Sequence, residues 1–265
     1  MPKSVLVIEA GASRLRAAIA RASLWRRVDL GPFAVTEGTN GAAFDAILAQ
    51  LGGGHPRRAL VVTAEARPFL ARGGERPRVT DDDLVCAWSA LPRSAGWLGA
   101  ALPHDAREAW AALLARRGIA LDGIYPMLGA AAAAIPPKRA RDRVLLHVGA
   151  GAAAWILLEA GSIASLRVVA FADAVSEAPA VSSEILVCGR DPEPVARALA
   201  ATRDAVVFDP CPGAPGGGSA WASVLGAARH ALRAAAEALA VRVPPAPARA
   251  RAWFGAPLRL DVARR

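Results

Sequence analysis

The same order of elements occurs twice along this chain, and that repeat constrains the fold more than any single motif. Ser4–Ile8 reads as a buried strand that ends in the glycine turn Glu9-Ala10-Gly11-Ala12-Ser13. Leu15, Ala17 and Ile19 then alternate along a returning strand. Val28–Val35 is a third strand, and Ala42–Leu51 has helical spacing at Phe44, Ile47, Leu48 and Leu51, stopped by Gly52-Gly53-Gly54. Arg58–Thr63 is a short buried strand around Ala59-Leu60-Val61-Val62. From Arg143 the pattern restarts: strand Arg143–Val148, turn Gly149-Ala150-Gly151, strand Ala152–Glu159, a hairpin at Ala160-Gly161 and strand Ser162–Ala170. Strand Glu184–Cys188, helix Pro192–Ala201 and strand Val206–Phe208 follow, and Ser219 is read as the cap of a long helix to Val241. Two related α/β domains facing each other across a cleft are the expectation.

Between the repeats the reading is less regular. Arg67–Pro92 has no clean period, and Thr80-Asp81-Asp82-Asp83 reads as a helix start, since carboxylates favour a helix N-terminus. The alternative there is a cation site. Trp97–Leu102 is strand-like, and Asp105 reads as the cap of an amphipathic helix through Arg117. Ile124 to Ile135 is taken as a second, apolar helix ended by Pro136-Pro137. The expected boundaries are 1–137 with a small insertion around 67–104, 138–243, and a Pro/Arg-rich tail at 244–265.

Composition removes several function classes. At 54% hydrophobic and 21% charged, the 265 residues are not a disordered chain. Cys86, Cys188 and Cys211 lie far apart, which suits reduced thiols in a cytoplasmic protein. The net charge of +9 is mostly arginine and is scattered, so no nucleic-acid partner is expected. Val144–Leu158, the longest apolar stretch, is too short to span a membrane, and Val5–Ile8 is too short for a signal peptide. His55, His104, His147 and His230 show no metal spacing, so no metal site is expected. Trp253-Phe254 beside arginines suits a partner or membrane surface.

A strand that ends in a glycine turn and pairs back on itself can hold a phosphate on its backbone N–H groups. Two such turns in matching positions, Ile8–Arg14 and Leu146–Gly151, would clamp a nucleotide's phosphates from both sides. Here the sequence resembles the actin-like ATPase superfamily, whose ribonuclease H-like domains face a cleft. Assembly proteins of bacterial type IV pili and type II secretion, of the PilM and GspL kind, look closest. Val5–Ala18 resembles the first phosphate loop, Val144–Gly161 the second, Ile185–Arg190 the adenosine motif and Ala220–Ala231 the closing helix. Ala101 to Ala130 also resembles PilM-type proteins. The resemblance implies vestigial nucleotide loops at Glu9, Gly11, Ser13, Arg14, His147, Gly149, Gly151 and Gly189.

The departures from the family pattern matter. Its two loop aspartates are Glu9 and His147 here, and Gly189 is followed by Arg190 rather than a second glycine. Phe171–Ser183 is too short for the helical subdomain that active members insert into the second domain. No catalytic residue is therefore assigned, and the cofactor expectation is none, or weakly bound ATP and magnesium. The resemblance implies a pilus or secretion scaffold that is non-enzymatic or nearly so. It would be cytoplasmic, peripheral to the inner membrane, and bound to a membrane-anchored partner through the Arg67–Ile124 region. A homodimer stays open. The alternatives are an ATPase or small-molecule kinase of the same superfamily, and a GspL-like chain that continues into a membrane helix beyond Arg265.

Overall fold

The computed structural model describes residues 4–23, 27–73, 75–76, 81–91, 96–136, 142–149, 151–159, 162–180, 184–233 and 242–245. Its first half runs β1 (Ser4–Ala10), β2 (Arg14–Ala22), β3 (Val28–Glu37), α1 (Gly41–Leu51) and β4 (Arg58–Thr63). Then come β5 (Arg67–Arg72), β6 (Leu84–Ala90), β7 (Gly96–Pro103), α2 (His104–Ala115), β8 (Ala120–Pro126) and α3 (Met127–Ala133). The second half runs β9 (Arg143–Val148), β10 (Ala152–Glu159), β11 (Ser162–Ala170), β12 (Ile185–Gly189), α4 (Pro192–Ala200), β13 (Ala205–Val207) and α5 (Ala222–Arg233).

The repeat read from the sequence is a repeat of topology. The first sheet has the order β3-β2-β1-β4-β8 and the second β11-β10-β9-β12-β13, which match place for place. In each, the first three strands are antiparallel and the last two join in parallel. The parallel strands read as continuous apolar runs because both of their faces are covered. Alternation sorts each run between two cores. On β9, Val144, Leu146 and Val148 face a cluster with Val195, Ala196 and Leu199 of α4. Leu145 points the other way, into the larger core that the two halves share.

That shared core is built on α3 and α5. These helices pack against each other, and each also reaches the opposite half: α5 lies on β1 to β4, and α3 touches β9 and β10. The boundary at 137/138 separates the two sheets, but α5 packs with the first of them. The helix crossing is close because its residues are small. Ala130 to Ala134 are buried, and a Cβ on Gly226 would sit 1.7 Å from the Ala130 carbonyl oxygen. On the outer face, Asn40 caps α1 by accepting from the Ala43 N–H at 2.9 Å. Arg117 joins α1 to α2 by donating to Asp45 at 2.6 Å and to the Gly41 carbonyl at 3.2 Å.

Several expectations are corrected. The irregular block contains β5 and β6, which flank β7 in a separate three-stranded antiparallel sheet. Asp81–Asp83 is a turn before β6 and not a helix start, because Asp81 accepts the Asp83 N–H at 3.0 Å. Thr80 lies outside the described residues. Ile124 and Tyr125 belong to β8, paired in parallel with β4, and helix begins only after Pro126. Asp105 stands in the first turn of α2, and the capping position is Pro103. Ser219 lies in a 3-10 turn, Gly218–Trp221, that precedes α5. Of the tail assigned to 244–265, residues 246–265 lie outside the described residues. Just before it, buried Val243 exchanges backbone hydrogen bonds with Ile124 at 2.8 and 2.9 Å. Trp253-Phe254, Lys138 and Gly161 lie outside the described residues. No described helix is long and apolar enough to cross a membrane.

The crossing yields a prediction. Gly226→Ala forces the two helix backbones apart and should cost about 1–3 kcal/mol or more. Gly53→Ala, with nothing within 4 Å, should stay within about 0.5 kcal/mol. Urea unfolding of both variants checks this; equal midpoints would contradict the close crossing.

Candidate functional site

The two glycine turns close in the same way. The Gly11 N–H donates to the Arg14 carbonyl at 3.0 Å, and the Gly149 N–H donates to the Ala152 carbonyl at 2.9 Å. Each turn sits where the first strand of its sheet meets the second, so the repeat brings them to one cleft. The cleft has a volume of about 660 Å³. Glu9, Gly11, Ser13, Arg14, His147, Gly149, Gly151 and Gly189 all line it, so all eight residues singled out in the sequence come together. Gly189 has φ +104°, and a Cβ there would meet the Val148 carbonyl oxygen at 2.2 Å. Only glycine lets β12 turn so close to β9 before Arg190 donates its N–H to the same carbonyl at 2.9 Å.

The acidic position is already engaged. Glu9 and Arg16 face each other across the β1–β2 pair, and Arg16 donates to Glu9 Oε1 at 2.9 Å. Both side chains are largely buried. The second oxygen, Oε2, accepts the Ser223 hydroxyl from the start of α5. Arg16 also donates to the Ala220 carbonyl at 3.0 Å. The node therefore ties the first sheet to the segment that enters from the second half. Phe33 and Trp221 pack edge to face beside it, 4.7 Å between ring centroids.

His147 stands on the second loop. Burial, with the Arg16 charge adding to it, pushes its pKa down to about 4, so it is neutral at pH 7. Beside it on β12, burial raises the Cys188 thiol far above its ordinary range. The remaining charges in the cleft are cationic. Arg14 and Arg67 have no carboxylate partner among the described residues, and Arg190 makes only a loose, exposed pair with Asp191 at 3.5 Å.

The sequence reading missed Arg16, Ser223, Arg67 and the cleft-facing role of Arg190. One of these was within reach: a hairpin centred on Ala12-Ser13 places Arg16 opposite Glu9. Ser223 lies 214 residues from Glu9 and carries no local signal.

No known sequence family matches the chain, and neither does any curated protein. Solved structures do match. A chain of the PilM-PilN type IV pilus biogenesis complex superposes with a TM-score of 0.66 at 12% identity, covering 86% of this chain and 98% of that one. The chain has the actin-like fold. A Bacteroides thetaiotaomicron protein with actin-like ATPase fold and unknown function matches with a TM-score of 0.54 at 9% identity, over 84% of this chain and 95% of that one. The cytoplasmic domain of EpsL, an inner membrane component of the Vibrio cholerae type II secretion system, gives 0.48 at 11% identity, over 70% and 81%.

The actin-like fold implies magnesium and ATP, but the residues present do not fit a divalent cation. Such an ion needs carboxylate oxygens, directly or through ordered water. Glu9 has given its two oxygens to Arg16 and Ser223, and His147 offers a neutral ring in the matching place. No group of three or more His, Cys, Asp or Glu side chains among the described residues is arranged to hold a metal. Backbone turns and arginines are a donor set for an anion.

Two outcomes follow from this geometry. Glu9→Ala leaves Arg16 buried without its partner and should lower stability by about 3–5 kcal/mol, checked by chemical denaturation. A second test uses pH. His230, whose Nδ1 shares a hydrogen bond with the Tyr125 hydroxyl at 2.9 Å, is also pushed down to about 4 by burial, with Arg242 adding to it. Unfolded histidine takes up its proton near pH 6.5, so the unfolded chain binds more protons between there and pH 4. The histidine contribution to stability should be complete above pH 6.5 and fall steadily toward pH 4. Replacing both by glutamine should flatten the melting temperature across that window relative to the unaltered chain.

Proposed function

We propose that this chain is an actin-like scaffold of a pilus or type II secretion assembly platform at the inner membrane. It binds a membrane-anchored partner on the cytoplasmic side and turns over little or no ATP. The observation that carries this reading is the engaged carboxylate: Glu9 is held by Arg16 and Ser223 and serves the fold instead of a metal. Phosphoryl transfer in this fold needs a cation to neutralise charge developing between phosphates, and among the described residues lining this cleft Glu9 is the one carboxylate, already paired.

Two further features support it. The likeness to a chain of the PilM-PilN complex extends over most of both proteins. The path from β11 to β12 is short, with a 3-10 turn at Phe171–Asp173 in it, which supports the reading that the second domain lacks the helical insertion of an active member. The partner would dock on the first half, in the region of the β5-β7-β6 sheet. Peripheral contact with the membrane would come through that partner, and self-association is a second property to measure.

The test is recovery from membranes. The tagged chain should co-purify with a single-pass membrane protein encoded beside it. Deleting β5 to β7 should abolish that capture, provided circular dichroism shows the remainder folded. Magnesium-dependent ATP hydrolysis well above background in the purified chain would overturn the reading.

A further inference from the structure

We propose that the cleft binds a phosphate-rich anion as the free, metal-uncomplexed species, with arginines supplying the positive charge that a cation would otherwise bring. This rests on the reading above that the cleft is not a magnesium–ATP machine, and it specifies what the cleft takes instead.

The charges on the cleft wall decide the matter. Glu9 and Arg16 cancel each other in a buried pair, and His147 carries no charge at pH 7. What remains is Arg14 from the first turn, Arg67 from the start of β5 and Arg190 from the end of β12. These three arginines come from three separate elements and both halves of the molecule, yet they border one cavity. Guanidinium groups are the side chains best matched to phosphate oxygens, which they can grip with two parallel hydrogen bonds. Both glycine turns add small residues to the lining, and a Cβ on Gly151 would have nothing within 4 Å, so an anion can come close to the backbone there.

The size and the apolar lining fit an anion with some bulk. A volume of about 660 Å³ lies in the range of small-molecule sites. Met127, Leu128 and Val168 add an apolar lining that a bare phosphate would leave unused. A nucleoside di- or triphosphate uses both the arginines and this lining, whereas an inorganic polyphosphate uses only the arginines. In either case a bound magnesium ion works against the site. It would neutralise the anion, it would find no carboxylate, and it would enter a field of positive charge.

The experiment is calorimetric titration of the full chain with four probes: ATP in EDTA, ATP with excess magnesium, inorganic tripolyphosphate in EDTA, and adenosine. ATP should bind in EDTA, and excess magnesium should weaken it several-fold. Arg67→Ala and Arg190→Ala, both at exposed positions, should each weaken it by about tenfold. Their unliganded melting temperatures should match that of the parent chain, which separates lost binding from lost folding. Tripolyphosphate as tight as ATP would identify an inorganic anion as the occupant; tighter ATP would identify a nucleotide. Binding that magnesium strengthens, binding unmoved by the arginine variants, or adenosine equal to ATP would overturn the proposal. Silence from both anions would overturn it alone and leave the scaffold reading standing. Magnesium-dependent binding with turnover would defeat both.

Discussion

Everything in this molecule depends on how closely α3 and α5 cross. A sheet with one strip of helix behind it is a small core. Here each half sends a helix across to the other, and Gly226 and Ala130 let the two backbones nearly touch. The result is one core that includes Leu6, Ile8, Leu60 and Phe44 of the first half together with Leu145, Ile156 and Leu186 of the second. Because the crossing fixes the two sheets relative to each other, it also fixes where the ends of β1 and β9 meet. The cleft is a consequence of the crossing, and the alanine of this chain has a structural meaning at that seam.

The same economy governs the Glu9 node. A buried carboxylate must be paired, and the pairing here spans the cleft: Arg16 from β2, Ser223 from α5. The contacts that hold α5 against the first sheet are the contacts that take the carboxylate out of service. Stability and metal chemistry compete for one side chain, and in this chain the fold holds it. Among the described residues Arg14 and Arg67 then face no carboxylate and Arg190 only the exposed Asp191, so the electrostatic character of the cleft follows from the packing behind it.

Much of this was legible in the sequence. Alternation and glycine turns located β1, β2, β9, β10 and β11, and the repeat put the two loops in matching places. The eight loop residues, named from the resemblance, line one cleft because both turns sit at strand ends in matching places of the repeat. The losses were of two kinds. The apolar run from Ile124 holds a strand and a helix, and nothing in its period marks the join; pairing with β4 decides it. Asp81–Asp83 suits a turn as well as a helix start, since the same short carboxylate can bond the backbone in either. Contacts between distant residues, such as Ser223 with Glu9, left no trace in any local pattern.

The short exchange between Val243 and Ile124 has a mechanical consequence. It adds an antiparallel partner to β8 at the rim of the first sheet, and Arg242 packs where only Gly123 leaves room for it. Pro244 and Pro245 therefore stand at the rim of the first half, although the strands just before α5 belong to the second. A pull applied at Pro245 would load the Val243–Ile124 bonds and pass along β8 into the first sheet directly. The second sheet would feel it through the crossing of α3 and α5.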